Sequence, residues 1–155
     1  MLPDETKTDS FTEFVSKVEG KLRHALTAAF GAEQGREAVA EALAYGWEHW
    51  DHIKGMDNPA GYLYRVGHNY ARKVRSRRRV VLPDAPLEEA PWVEPGLPDA
   101  LAGLSETQRV AVYLVFGHDW STSEVAAFLG VSKNTVQKHV ERGMGKLRNR
   151  LGVEV

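Results

Sequence analysis

The chain has 155 residues, no cysteine and a formal net charge of −1. This length suffices for one domain or two small ones. The lack of cysteine excludes a disulfide framework and a thiolate metal site. No apolar run approaches the ~20 residues that a membrane-spanning helix needs, and residues 1–10 lack the basic and apolar regions of a signal peptide. We therefore expect a cytoplasmic protein without a membrane segment.

The charges are segregated along the chain. Residues 65–79 hold seven Arg or Lys and no acid, whereas residues 80–108 hold six acids and no Arg or Lys. Residues 133–150 again hold six basic residues against the single acid Glu141. Two basic segments around an acidic connector cancel in the net charge but not in space. The pattern favours a polyanionic partner for two separate surfaces.

The polar residues 1–10 are predicted to be disordered, and Ser10 is placed to cap a first helix from Phe11. A second helix is predicted from about Arg36 to Trp50. Its expected buried side consists of Val39, Leu43, Trp47 and Trp50. A loop over 52–57 then leads into a third helix.

Asn58-Pro59 predicts the start of this third helix, with Asn as its cap and Pro in its first turn. Its apolar stripe comprises Leu63, Val66, Tyr70 and Val74, and its opposite face carries Arg65, Arg72, Arg75 and Arg79. A wholly basic face needs an anion to offset its self-repulsion, and phosphate is the obvious candidate. A solvated basic face is the alternative, but solvated helices usually carry mixed charges in i,i+4 pairs.

Residues 80–103 contain five of the seven prolines and show neither helical nor strand periodicity. They predict an extended, acidic linker with polyproline character. The helical pattern resumes at Ser105, which can cap a further helix.

A helix-turn-helix pattern follows from Trp120, in the sequence WSTSEVAAFLGVSKNTVQKHV. Ser121 and Glu124 form a capping box, Gly130 suits a left-handed turn, and Ser132 can cap the second helix. The apolar stripe of that helix comprises Val136, Val140, Met144, Leu147 and Leu151, and its outer face begins with Lys133, Asn134, Gln137 and Lys138. Such a face can read the DNA major groove. The alternative is an ordinary helical hairpin with a solvated polar face.

The sequence thus predicts an all-α protein with two small helical domains joined by a proline-rich acidic linker. We expect a disordered segment over 1–10, a helical bundle over 11–79, the linker over 80–103 and a helix-turn-helix domain over 104–155. The six histidines form no ligand motif, so neither a metal nor any other cofactor is expected. No glycine-rich phosphate loop and no nucleophile-base arrangement indicates an enzyme.

The two helical segments, in this order, resemble the extracytoplasmic-function (ECF) group of bacterial RNA polymerase sigma factors. Residues 47–79, WEHWDHIKGMDNPAGYLYRVGHNYARKVRSRRR, are similar to the helices that bind core polymerase and read the promoter −10 element. Residues 104–151 are similar to the domain that reads the −35 element. The resemblance implies a non-enzymatic subunit of RNA polymerase that recognises promoter DNA and that an anti-sigma factor can hold.

The resemblance also implies roles for individual residues. The −10 element would be read and opened by Tyr62, Tyr64, Arg65, Asn69, Arg72, Arg75 and Arg79. The −35 element would be bound by Lys133, Asn134, Gln137, Lys138 and Arg142. Core polymerase would be bound by Glu37, Glu41 and Trp47.

One departure from the family concerns the polymerase-binding helix. This helix usually carries an acidic pair followed by a Gln-Glu pair, where the present chain has Arg36-Glu37 and Ala40-Glu41. An alternative function is therefore a stand-alone helix-turn-helix regulator with weak or no polymerase binding. Co-purification with core polymerase discriminates between the two.

Overall fold

The computed structural model describes residues 3–74, 81 and 96–152, and the regular structure in these ranges is helical. The first four helices are α1 (Pro3–Phe30), α2 (Ala32–Glu48), α3 (Trp50–Ile53) and α4 (Pro59–Val74). The remainder are α5 (Leu97–Ala102), α6 (Glu106–Val112), a π-helical turn (Tyr113–Gly117), α7 (Thr122–Leu129) and α8 (Lys133–Leu151). We call α1–α4 the first lobe and α5–α8 the second lobe. No helix within the described ranges is long and apolar enough to span a bilayer.

Small residues allow α1, α2 and α4 to pack closely in the first lobe. The buried face of α2 consists of Gly35, Ala38, Val39, Ala42 and Gly46. A Cβ atom on Gly35 would lie 2.8 Å from the Cα of Thr27 on α1, so the two backbones touch there. Gly31 turns the chain between α1 and α2 with φ of 91°, and the N–H of Ala32 donates to the carbonyl of Val81 at 3.0 Å. The chain therefore returns to the α1–α2 corner at Val81.

The first helix begins earlier than the sequence indicates. It is continuous from Pro3, so the prediction of disorder is wrong for residues 3–10, and Ser10 is not a helix cap. Instead, the hydroxyl of Ser10 accepts a hydrogen bond from the indole of Trp50 at 3.1 Å. The Lys7 ammonium lies 4.3 Å from the ring centre of Trp47. These aromatic contacts with α2 and α3 hold the N-terminal turns, which propensity alone would leave unfolded.

The predicted linker ends sooner than expected. Residues 97–102 form α5, which packs on α8 with Ala100 and Leu101 buried. Pro98 lies in the first turn of this helix, where a missing N–H removes no helical hydrogen bond. The short apolar pattern of α5 was obscured by the prolines around it. The predicted linker residues 80 and 82–95 lie outside the described ranges.

The two lobes pack against each other. Helix α1 contacts α6 and the π-helical turn, and α4 contacts α7. One continuous set of buried apolar side chains runs from Leu22 and Leu63 in the first lobe to Leu114 and Val125 in the second. Apolar contacts are therefore continuous across the interface between the lobes.

Candidate nucleic-acid interface

The helix-turn-helix is fixed by local hydrogen bonds, as its sequence predicts. The Ser121 hydroxyl accepts from the N–H of Glu124, and the Glu124 carboxylate accepts from the N–H of Ser121, both at 3.0 Å. The hydrogen bond from the Ser121 N–H, followed by the interaction with the Ser121 side chain, favours the charged carboxylate and holds the pKa of the Glu124 carboxyl below its usual value. Gly130 takes the left-handed conformation with φ of 71°, and Ser132 accepts from the N–H of Thr135. The turn therefore sets the angle at which α8 leaves α7.

The outer face of α8 is open to solvent. Val136 and Leu147 are buried on its inner face, so the opposite face points away from the core. Every predicted −35 residue is exposed: Lys133, Asn134, Gln137, Lys138 and Arg142. Amide side chains suit adenine edges and lysines suit guanine edges in the major groove. The face combines donors and acceptors suited to base edges with one further cation, Arg142, suited to phosphate.

The predicted −10 residues of α4 divide into two groups. Arg65, Asn69 and Arg72 are exposed and follow one another at spacings of four and three, so they form one ladder along the helix. Arg75 and Arg79 were predicted to extend this ladder and lie outside the described residues. The exposed ladder offers cationic and amide groups to a nucleic-acid backbone.

The two tyrosines predicted to stack on bases are less exposed than Arg65, Asn69 and Arg72. The Tyr64 ring packs edge-on against Phe128 of α7, with centroids 5.7 Å apart. Burial, with the Glu106 carboxylate nearby, raises the pKa of Tyr64 far above its usual value, and Arg109 opposes this only in part. Tyr62 is partly buried, and its hydroxyl lies 3.4 Å from that of Tyr45. In this arrangement the Tyr64 ring is partly covered by the second lobe.

Asn58 joins the start of α4 to the second lobe. Its side-chain oxygen accepts from the N–H of Gly61 at 3.0 Å, which is the expected helix cap. Its side-chain amide donates to the carbonyl of Ala127 on α7 at 2.7 Å. A cavity of about 230 Å³ lies beside this contact, lined by Met56, Tyr62, Arg65, Phe128 and Leu129 among others. Tyr62 and Arg65, two of the predicted −10 residues, thus border a cleft between the lobes.

Arg109 makes the most extensive polar contact between the lobes. Its side chain is only 4% exposed and donates to the carbonyls of Ala28 at 2.5 Å and Ala29 at 2.7 Å. It also donates to the carbonyls of Leu104 at 2.9 Å and Ala102 at 3.4 Å. The carbonyls of Ala28 and Ala29 belong to the last turn of α1 and that of Ala102 to the end of α5, while Leu104 follows α5. Neither α1 nor α5 has a basic residue in its own last turn. We call this set of hydrogen bonds the Arg109 bridge. One guanidinium therefore neutralises two helix C-termini, one from each lobe.

Three histidines lie at the same interface. The Nε2 of His68 lies 2.6 Å from a carboxylate oxygen of Glu106. The rings of His24 and His118 stack with centroids 3.7 Å apart. Burial is the largest cause that lowers the pKa of His24, and burial followed by the charge of His24 lowers the pKa of His118 to about 4. Both stacked rings therefore favour the neutral form. The part of the chain that the structure describes holds no cluster of three metal-ligating side chains.

The predicted polymerase-binding residues lie on α2. Glu37 and Glu41 are exposed one turn apart. Trp47 is 38% exposed. The rest of its side chain is partly covered by α1, because Lys7 lies over the ring and Phe11 packs against it with centroids 5.6 Å apart. The expectation that Trp47 belongs to the buried side of α2 is therefore wrong, because glycine and alanine occupy that side.

The sequence interpretation missed Arg109 and assigned Asn58 only a capping role. Two signals were present for Arg109: it directly precedes the apolar run 110–116, and helices α1 and α5 lack cations at their ends. Neither signal identifies the partner carbonyls, because those come from a segment some 80 positions earlier.

Comparisons with known proteins agree on one family. Residues 96–147 match the family model described as sigma-70, region 4. The sigma-E factor of Streptomyces coelicolor is 30% identical over 151 residues, covering 91% of this chain and 85% of that protein. The ECF sigma factor SigL of Mycobacterium tuberculosis is 30% identical over 140 residues, covering 81% of this chain and 79% of that protein.

Two solved structures share the fold. The sigma factor RpoE from Bartonella quintana, in complex with the anti-sigma factor NepR, matches with a TM-score of 0.67 and 21% identity over 94% of this chain and 99% of that one. CnrH, in complex with the cytosolic domain of CnrY, matches with a TM-score of 0.63 and 22% identity over 96% of this chain and 91% of that one. The full-length likeness to curated sigma factors, with the helix-turn-helix and the basic helix in the same order, shows that this chain belongs to the ECF family of RNA polymerase sigma factors.

Proposed function

We propose that this chain joins core RNA polymerase and selects promoters by reading two separate elements. The exposed face of α8, held outward by the capped helix-turn-helix, carries the proposal. Sigma factors are non-enzymatic, so the proposal contains no catalytic step. It places the protein in the cytoplasm, where its polymerase acts.

In this proposal the first turns of α8 read the −35 element. Lys133, Asn134, Gln137 and Lys138 lie on the exposed side of the helix and supply base contacts, whereas Arg142 contacts phosphate. Phosphate contacts place the helix in the groove, and base contacts select the sequence.

Helix α4 and the loop before it read and open the −10 element. Strand opening needs pockets for unpaired bases and cations for the displaced backbone. The exposed ladder of Arg65, Asn69 and Arg72 supplies the cations and an amide, and Tyr62 and Tyr64 supply aromatic rings. Arg75 and Arg79, which follow α4 in the sequence, contribute further positive charge for the displaced backbone.

Core polymerase binds α2 through Glu37, Glu41 and Trp47. Glu37 and Glu41 are exposed, and Trp47 is partly exposed beside α1. An anti-sigma factor completes the set of partners, as in the complex of RpoE with the anti-sigma factor NepR.

In vitro transcription tests the proposal. Purified chain is added to core polymerase and genomic fragments, and we expect specific transcripts that are absent without the chain. Glu37→Ala combined with Glu41→Ala should reduce co-purification with core polymerase, while Glu33→Ala, earlier on α2, serves as the control. Duplex binding without co-purification or transcription would identify a stand-alone regulator instead.

A second experiment separates opening from binding. Arg72→Ala combined with Arg75→Ala should reduce promoter opening, seen as permanganate reactivity of unpaired thymines, more than it reduces duplex binding. The neighbouring Lys73→Ala is the matched control because it removes one positive charge from a different side of α4. Equal opening by all variants would exclude the assigned role of Arg72 and Arg75.

A further inference from the structure

We propose that Glu141 makes this protein select a cytosine within the −35 element, by accepting a hydrogen bond from the amino group of that base. The inference rests on the proposed function, which places the outer face of α8 in the major groove. It assigns a role to the one acidic side chain among the basic and amide groups of that face, and it predicts one base of the recognised sequence.

Glu141 lies in the middle of the face that is proposed to read bases. Val136 and Leu147 mark the buried side of α8, and Glu141 lies roughly 140° around the helix from Val136. Its side chain is exposed, as are those of Asn134 and Lys138. Asn134, Lys138 and Glu141 follow one another at spacings of four and three, so they form one row along the helix. This row extends over about 10 Å, which is about the rise of three base pairs.

Within the described ranges, the Glu141 carboxylate has no cationic partner. Stabilising pairs join a glutamate to a Lys or Arg three or four residues later, but those positions hold Met144 and Gly145. Lys138, three residues earlier, does not form an ion pair with Glu141, and neither does any other cation in the part of the chain that the structure describes. A stabilising pair on a solvated helix face therefore does not account for this acid.

The surface beside Glu141 is clear for the approach of DNA. Gly145 follows it by one turn on the same outer side of α8, and a Cβ atom there would have no neighbour within 4 Å. By contrast, a Cβ atom on Gly143 would lie 2.7 Å from the side chain of Val112, so that glycine is explained by the packing of α8 on α6. The next turn of the helix therefore leaves the Glu141 carboxylate unscreened from a base.

The chemistry of the base edges identifies the base. A carboxylate that approaches a polyanion is repelled, unless it accepts a hydrogen bond that offsets the repulsion. In the major groove, cytosine and adenine present amino donors, on N4 and N6. The adenine amino group lies beside the acceptor N7, which repels a carboxylate, whereas cytosine presents its donor alone. Glu141 therefore selects cytosine, and Lys138 in the same row suits the acceptors of a guanine.

Selection from random duplexes tests the base assigned to Glu141. The full chain is used in two arms, alone and bound to core polymerase, and the enriched sequences are read. We expect one position at which the parent selects cytosine. Glu141→Gln keeps the size of the side chain and adds an amide donor, which suits the N6 and N7 edge of adenine, so adenine should replace cytosine there. Glu141→Ala should leave that position without a preference.

Glu48→Gln is the matched control for the loss of charge. Glu48 is exposed on α2, so the substitution removes the same charge away from α8 and should enrich the same sequences as the parent. Loss of the cytosine in both variants of Glu141, but not in Glu48→Gln, supports the proposal. A parent that selects no cytosine overturns it, and so does a Glu141→Gln variant that enriches the same base as the parent at every position.

Binding affinities separate base reading from general repulsion. Two fluorescein-labelled duplexes carry the selected sequence with either cytosine or thymine at the assigned position. The parent should bind the cytosine duplex more tightly by about fivefold or more. Glu141→Ala should bind the two duplexes equally, and at least as tightly as the parent binds the thymine duplex, because a repulsive charge is gone. Equal discrimination by the parent and by Glu141→Ala contradicts the proposal.

The failure of this inference is distinguishable from the failure of the proposed function. If the chain alone selects cytosine through Glu141 but core polymerase does not retain the chain, only the proposed polymerase role is contradicted. If the chain and core polymerase give specific transcripts, and Glu141→Gln selects the same −35 sequences as the parent, only the role of Glu141 is contradicted.

Discussion

The two proposed DNA-reading surfaces differ in what determines their exposure. The reading face of α8 is oriented by bonds within a short stretch of chain, namely the Ser121–Glu124 capping box, the left-handed Gly130 and the Ser132 cap. The strand-reading end of α4 is instead bordered by α7, which lies some 60 to 70 residues further along the chain. Local sequence therefore suffices for the first surface and does not suffice for the second.

Because of this difference, substitutions at the two surfaces should have different effects on DNA binding and on stability. Substitutions on the outer face of α8 should affect DNA binding with little effect on stability, because these side chains contact solvent. Residues at the lobe interface should affect stability and access together, because their contacts are buried. Four measurements test that contrast, beginning with the largest expected effect.

Arg109→Ala should lower the free energy of unfolding by about 3 kcal/mol, since it removes charged hydrogen bonds and leaves buried carbonyls without their donor. Urea unfolding followed by circular dichroism measures this change. Arg148→Ala, an exposed substitution on α8, is the matched control and should change stability by less than about 0.5 kcal/mol. A loss below 1 kcal/mol for Arg109→Ala would show that the Arg109 bridge contributes little.

Gln137→Ala should weaken binding to a selected −35 duplex by about 1–3 kcal/mol if the amide makes a bidentate contact with a base. Its stability should stay within about 0.5 kcal/mol of the parent, because the side chain is exposed. Fluorescence anisotropy with selected and scrambled duplexes measures the effect. Asn149→Ala, exposed at the far end of the same helix, is the control. If Gln137→Ala keeps the parent's preference for the selected duplex over the scrambled one, Gln137 does not read a base.

Gly61→Ala should destabilise the protein by about 1–2 kcal/mol, because the new Cβ meets the Asn58 side chain and the Phe128 carbonyl. Gly145→Ala should instead stabilise the protein. Nothing lies within 4 Å of its new Cβ, and alanine favours a helix over glycine by about 0.5–1 kcal/mol. Urea midpoints of the pair measure both changes, and a stabilising Gly61→Ala would show that the lobe contact at α4 is loose.

Acid should destabilise the interface through the stacked histidines. The pKa of His118 is lowered to about 4 in the folded chain from the usual 6.5, so the unfolded chain binds more protons between these values. The contribution of the neutral His118 ring to the free energy of unfolding is complete above pH 6.5 and is lost as the pH falls towards 4. His24 and Arg23 strengthen this effect, and Asp119 opposes it.

His118→Gln should flatten the fall in melting temperature between pH 7 and pH 4.5. Because the ring is only partly buried, we expect a difference of less than about 1 kcal/mol. Parallel pH profiles of the two proteins would show that the imidazole stack does not contribute. Thermal unfolding by circular dichroism at several pH values measures both.

Much of the local structure was predictable from sequence because its causes lie within a few residues. The caps at Ser121 and Ser132 and the turn at Gly130 were predicted and are confirmed. The buried stripe of α8 was also predicted, with Val136 and Leu147 at its core. Each depends on hydrogen bonds or side-chain periodicity inside one or two helical turns. The proposed −35 face follows directly from that stripe.

The two wrong predictions of local structure also share a cause. Residues 3–10 look polar and unstructured, yet they extend α1, since Trp47 and Trp50 from later in the chain pack against them. Residues 97–102 look like part of a proline-rich linker, yet they form α5 on the surface of α8. In both places a distant surface supplies the burial that local propensity lacks.

The sequence by itself determined the all-α fold, the helix-turn-helix and the side of α8 that faces outward. Periodicity and capping chemistry act over distances that one segment of chain spans, so they can be read without the rest of the molecule. The tertiary structure alone decided that α7 lies over the start of α4 and that Arg109 donates to the last carbonyls of helices from both lobes. Those contacts depend on the distance in space between groups far apart in the chain, and no pattern along a single segment encodes that distance.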